Sequence, residues 1–263
     1  MSPSDPMSGT RGTTRDSYAD AQYRPPAAIR WNGWWFLAAG ALPVVLTVLF
    51  RVLPVALPQP VALPVSVATV VLSYAWMVAT LVVASRVRGL KSLEKDFGWT
   101  IEPVDILIGA AAAVLLIGLA AVMAPAIRAL GTPQTNVHLT GDHVWDTIRV
   151  FLLPTIVAAP VEELLFRGLL MRWIRIWIVR RRPEAQPSRA IHASVLISAV
   201  IFAATHLYEV STLAGIANLG LRTLLLGIVA GYLATRTGRL GPAVVTHGVH
   251  NAIVGVLALS FTA

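Results

Sequence analysis

Seven long apolar stretches separated by short polar joints set the rhythm of this chain: about 33–57, 65–85, 104–127, 144–179, 190–207, 213–234 and 242–261. Hydrocarbon about 30 Å thick needs roughly 20 apolar residues in a helix, and a helix satisfies its own backbone groups there. The pattern predicts an all-α, polytopic transmembrane helical bundle of about seven or eight membrane helices. The stretch 144–179 is too long for one crossing. It predicts either a tilted helix reaching into water or a short helix broken near Pro154 or Pro160 and followed by the true span. Residues 1–30 are polar, with Pro3, Pro6, Pro25 and Pro26 among scattered Ser, Thr, Asp and Arg. Such a segment cannot bury enough apolar area to order itself and predicts a disordered tail. Without an internal repeat, residues 31–263 read as one membrane domain.

Composition sharpens the class. The chain is 56% hydrophobic and only 13% charged, which excludes an ordinary soluble domain. It has no cysteine, so disulfides, thiolate metal sites and a cysteine nucleophile are excluded, and any metal must use His, Asp or Glu. The net charge of +8 does not point to nucleic acid, because the basic residues lie in the joints between apolar stretches. They fall before the first stretch, after the second (Arg86, Arg88, Lys91, Lys95), between the fourth and fifth (Arg172, Arg175, Arg180, Arg181, Arg182, Arg189) and between the sixth and seventh (Arg236, Arg239). The intervening joints carry almost none. This alternation predicts a cytoplasmic tail and N-terminus and an external C-terminus. Trp31, Trp34, Trp35, Trp145, Trp173 and Trp177 suit interfacial anchors, whereas Trp76 suits the core.

Few strongly polar side chains interrupt the spans: Arg51, Glu162, Glu163, Arg167, His192, His206, Arg222, His247, His250 and Asn251. A charge near the bilayer centre costs about 2.5–3.5 kcal/mol on insertion scales, so each needs a partner in the bundle interior. Glu163 and Arg167 stand four apart and can pair on one helix face. Glu162 points about 100° away and meets Phe166 at its own i+4 position, so it must look to another helix. The fifth stretch offers "FAATH" at 202–206 and the seventh "HGVHN" at 247–251, where His247 and Asn251 share a face. A carboxylate, two imidazoles and an amide from three helices can then share one pocket. Glu162 can take a proton from water, His206 can orient that water or bind a metal, and His247 with Asn251 can stabilise an oxyanion. The plainer reading of a single His is an interhelical hydrogen bond. His192 reads as structural, His250 as capping the polar face, and Arg222 as a partner for a carboxylate of the fourth stretch.

The ordered motifs "EELLFR" (162–167), "FAATH" and "HGVHN" resemble the EExxxR, FxxxH and HxxxN motifs of the CPBP intramembrane proteases, also called the CAAX prenyl protease 2 or Abi family. The resemblance covers about 145–255 and leaves the amino-terminal stretches without a signature. It implies a membrane endopeptidase acting on a peptide or protein substrate, membrane-associated or lipidated, in contact with membrane lipid, in a bacterial plasma membrane. Motif by motif, it implies that Glu162 and His206 activate water, that Glu163 and Arg167 support them, and that His247 and Asn251 form the oxyanion site. Both a metalloprotease mechanism and a metal-free glutamate and histidine mechanism have been argued for the family. The first implies a divalent ion such as zinc on Glu162, His206 and His247, although no HExxH pair is present. Two other classes stay open on the residues alone: a non-catalytic immunity or binding protein, and a proton-coupled transporter. Depth supplies a check. Counted from Arg172 and Arg239, Glu162 and His247 lie roughly 12–15 Å inside, whereas His206, 17 residues from Arg189, comes out deeper.

Overall fold

The structure is a computed structural model, described over residues 30–52, 58–135, 139–184 and 186–260. The tail expected at 1–30 lies outside the described residues except for Arg30. What is described is an all-α bundle whose one β-type contact is the isolated bridge between Thr135 and Val210. In chain order the helices are α1 (Trp34–Val52), α2 (Gln59–Arg88), α3 (Leu93–Phe97), α4 (Pro103–Arg128), α5 (His143–Thr147), α6 (Ala159–Glu163), α7 (Met171–Arg181), α8 (Pro187–Ala204), α9 (Leu213–Thr237) and α10 (Gly241–Ser260). Five described helices are long and apolar enough to cross a membrane: α2, α4, α8 with the turn after it, α9 and α10. Within α1, Trp34–Leu49 is apolar but shorter.

The long stretch 144–179 is not broken at either proline. From α5 to α7 the backbone stays helical, with π-helical segments at Ile148–Ala158 and Leu164–Leu170 on either side of α6. The wide turn takes Pro154 in its stride. Ala159 N–H donates to Pro154 O and Met171 N–H to Phe166 O, both five residues back, the i−5 pattern of a π-helix. Pro160, the second residue of α6, lies like Pro154 within the continuous helical rod.

This rod is the axis of the bundle. Residues 163–171 are all buried, and α8, α9 and α10 pack around them with α4 behind α10. Small residues permit the close approach: a Cβ on Gly227 of α9 would lie 2.9 Å from Ala199 Cβ of α8 and 3.0 Å from Arg167 Nη2. Phe166 packs edge-on against Phe36 of α1 and Phe202 of α8, with centroids 5.5 and 5.0 Å apart, which joins the amino-terminal helices to the rod.

The arginine-bearing end is tied by hydrogen bonds. Buried Asp96 accepts from Trp31 Nε1, Ser85 Oγ and Leu90 N–H. Arg239 grips Asp105 at 2.7–3.1 Å and Glu102 at 3.1 Å, the two residues of the capping box that starts α4. The hydrogen bonds it donates to Asp105 hold the Arg239 guanidinium above its ordinary pKa. Three expectations change here. Trp31 is not an interfacial anchor: it is 3% exposed and packs on Phe97. Trp76, expected in the core, is 43% exposed and donates to Ala38 O. Arg172 and Arg175 are not joint charges: Arg172 donates to the carbonyls of Asp96 and Gly238, and Arg175 to Thr235 Oγ1. Glu162, His206 and His247 meet, so the deeper position counted for His206 from Arg189 does not hold.

Candidate active site

The five-residue α6, held between two π-helical segments, presents Glu162 and Glu163 in different directions. Glu163 faces the dry interior and is fully buried. Its Oε1 accepts from Arg167 Nη1 at 2.8 Å and from His247 Nδ1 at 2.9 Å. Arg167 is buried as completely. Its Nε and Nη2, like Glu163 Oε2, meet no hydrogen-bond partner among the described residues, but the guanidinium lies 4.4 Å over the Phe202 ring. The aromatic face gives the cation an attraction that its unmatched donors lack.

Glu162 turns instead towards a cavity of about 1310 Å³ between α1, α2, the rod and the turn after α8. Its Oε1 accepts from Tyr74 of α2 at 2.7 Å. Its Oε2 stands 3.7 Å from His206 Nε2 and 3.9 Å from His247 Nε2. Glu162 is 12% exposed, His206 18% and His247 3%.

Each imidazole is anchored through its other nitrogen. His206 lies two residues beyond the end of α8, and its Nδ1 lies 2.8 Å from Phe202 O, one turn back. A carbonyl only accepts, so Nδ1 carries the hydrogen and Nε2 is left for the cavity. His247 Nδ1 donates to the carboxylate of Glu163, which leaves its Nε2 directed at Glu162 in the same way. Phe202 lies between the two rings, with centroids 4.6 Å from His206 and 5.5 Å from His247. Beyond α8, Thr135 Oγ1 donates to Glu209 O and Thr212 Oγ1 to Thr132 O, which braces the turn that carries His206.

The sequence-derived candidates fall into two groups. Glu162, Glu163, Arg167, His206 and His247 form one connected cluster. Asn251 stands a turn beyond His247 on α10, and its amide donates to Pro154 O at 3.0 Å. One of its two N–H groups is thus engaged with the rod, and no described contact joins it to Glu162 or His206. His250 is buried, with Nδ1 3.5 Å from Asn251 Oδ1. Arg222 pairs with no carboxylate of the fourth stretch, and its Nε lacks a partner among the described residues. His192 is bonded to Tyr232 OH at 2.6 Å, as a structural residue is. Sequence reading missed Tyr74, because a tyrosine in an apolar span carries no motif.

A carboxylate oxygen and two anchored imidazole nitrogens are the donor types that zinc takes. They are right in kind but not gathered as a preformed site: among the described residues no group of three or more His, Asp or Glu is arranged to hold a metal ion.

The fold and cluster define a class: an integral membrane bundle with buried acid and imidazole groups opening onto an apolar cavity. Residues 144–253 match the family model of the type II CAAX prenyl endopeptidases, Rce1-like. That match, over less than half of the chain, agrees with the CPBP resemblance and supports a CAAX-type intramembrane protease at the family level. No curated protein and no solved structure matched the chain.

Proposed function

We propose that the chain hydrolyses a peptide bond of a lipidated CAAX-type substrate, with Glu162 as the base that activates water. The observation that carries this reading is the convergence of Glu162 Oε2 with the Nε2 atoms of His206 and His247, at 3.7 and 3.9 Å, on the wall of the large cavity. Those separations exceed a direct hydrogen bond, and a single small molecule held between the three groups can touch all of them.

Glu162 takes a proton from water as the water oxygen bonds to the scissile carbonyl carbon, and the carbonyl oxygen becomes an oxyanion. His247 and His206, when protonated at Nε2, donate to that oxygen, and the second N–H of Asn251 adds to the same role. Glu162 then passes its proton to the amide nitrogen, the C–N bond breaks, and the new carboxyl gives its remaining proton to the departing amine or solvent, leaving a carboxylate and an amine as products. Glu163 and Arg167 act at a distance. The carboxylate fixes the His247 ring, and the arginine pairs with that carboxylate in a buried setting.

The substrate's lipid chain suits the cavity, whose α1 and α2 walls include Val44, Val48, Val70 and Met77. The test is cleavage of a farnesylated peptide with a CAAX terminus by purified protein, read by mass spectrometry. The expected result is loss of the terminal residues by wild type and no cleavage by Glu162→Gln. Activity that survives a chelator assigns the chemistry to side chains alone, whereas loss restored by zinc makes Glu162, His206 and His247 ligands. Proton uptake by liposomes containing the protein and no peptide would replace this reading with a transporter.

A further inference from the structure

We infer that Tyr74, on a helix outside the family-matched region, is a positioning residue for Glu162 and decides which carboxylate oxygen does the work. The inference rests on the proposed role of Glu162 as base. It starts from one contact: Tyr74 Oη lies 2.7 Å from Glu162 Oε1, 88 residues away in sequence. No other side chain is bonded to that oxygen among the described residues, while Oε2 faces the two histidines.

A glutamate carboxylate turns freely about its last torsion, where the preferred wells are broad and two-fold. A base whose oxygens exchange places spends much of its time with the wrong lone pairs presented. An O–H donated to a carboxylate makes a short, strong bond of the kind seen here. It pins Oε1 against α2 and leaves Oε2, with its lone pairs unshared, directed at His206 and His247. Glu162 has no partner on its own helix that could do this, since its i+4 neighbour is Phe166. The ring of Tyr74 also forms part of the cavity wall, beside Met77 one turn on. The hydroxyl therefore acts where substrate enters, and α2 becomes part of the active site as well as a candidate membrane span.

The experiment compares Tyr74→Phe, Met77→Ala and Glu162→Gln on the farnesylated CAAX peptide, with kcat and KM measured separately. Tyr74→Phe keeps the ring and removes only the donor. It is expected to lower kcat by about 10- to 100-fold, the loss of one hydrogen bond to a charged group, with KM within about twofold. Met77→Ala, which changes the wall alone, is expected to move KM and spare kcat. 3-Fluorotyrosine at position 74, which restores a hydroxyl on the same ring, is expected to recover the rate. Wild-type kcat in Tyr74→Phe, with Glu162→Gln dead, overturns the inference and leaves the protease reading intact. A kcat that 3-fluorotyrosine does not recover also overturns it, by making the loss one of packing. Equal cleavage by wild type and Glu162→Gln removes the role of Glu162 and the inference together.

Discussion

Glu162 and Glu163 are neighbours on one five-residue helix, yet they look into two different media. The Glu163 side of the rod is closed: carboxylate, guanidinium and imidazole are linked at 2.8 and 2.9 Å and sealed by the Phe202 ring. The Glu162 side opens onto a cavity, and there a tyrosine holds one oxygen while the other is left at 3.7–3.9 Å from two ring nitrogens. Residue type does not separate the two acids; their direction does. A carboxylate whose charge is balanced and enclosed holds a fold together, and one that is only partly satisfied and reachable is suited to moving a proton.

Substitution should pull the two sides apart. Glu162→Gln is expected to lower cleavage by about 10³-fold or more, equivalent to roughly 4 kcal/mol of transition-state stabilisation, with little change in the thermal unfolding midpoint. A similar fall in both quantities would erase the contrast. Glu163→Leu removes the counterion of a fully buried arginine and is expected to destabilise the fold by about 3–5 kcal/mol. Unfolding of the detergent-solubilised protein measures this, and an unchanged midpoint would show that Arg167 is held by its aromatic neighbours alone. The weakest perturbation belongs to the ion cluster at the arginine-bearing end. There Arg239→Lys gives up the bidentate grip on Asp105, for a loss of about 1 kcal/mol and no change in kcat.

Much of this arrangement could be read in the letters, because intramembrane charge is costly enough that each one needs a partner. The i, i+4 spacing of Glu163 and Arg167 indicated their ion pair, and the lack of such a neighbour for Glu162 directed attention to other helices. Long-range partners that carry no charge left no trace. Tyr74 is an ordinary residue in an apolar span, and the hydrogen bonds of Asp96 to Trp31 and Ser85 join segments whose register the pattern does not fix. Arg172 and Arg175 depart from the joint pattern for a related reason. Their partners are backbone carbonyls and a threonine, and a basic residue satisfied in that way looks the same in sequence as one in a loop. The two prolines suggested a break because proline opposes the α-helical ladder, and the wider helix that admits Pro154 has no simple sequence mark.

That wider helix sets the angular phase of everything after it. Each residue of a regular helix advances the side-chain direction by about 100°. Deleting one residue within Ile148–Ala158 and letting the rod relax to α-helical geometry would turn the glutamate pair by that step about its axis. The acid now in the cavity would swing off its histidines, with no side chain of the cluster replaced.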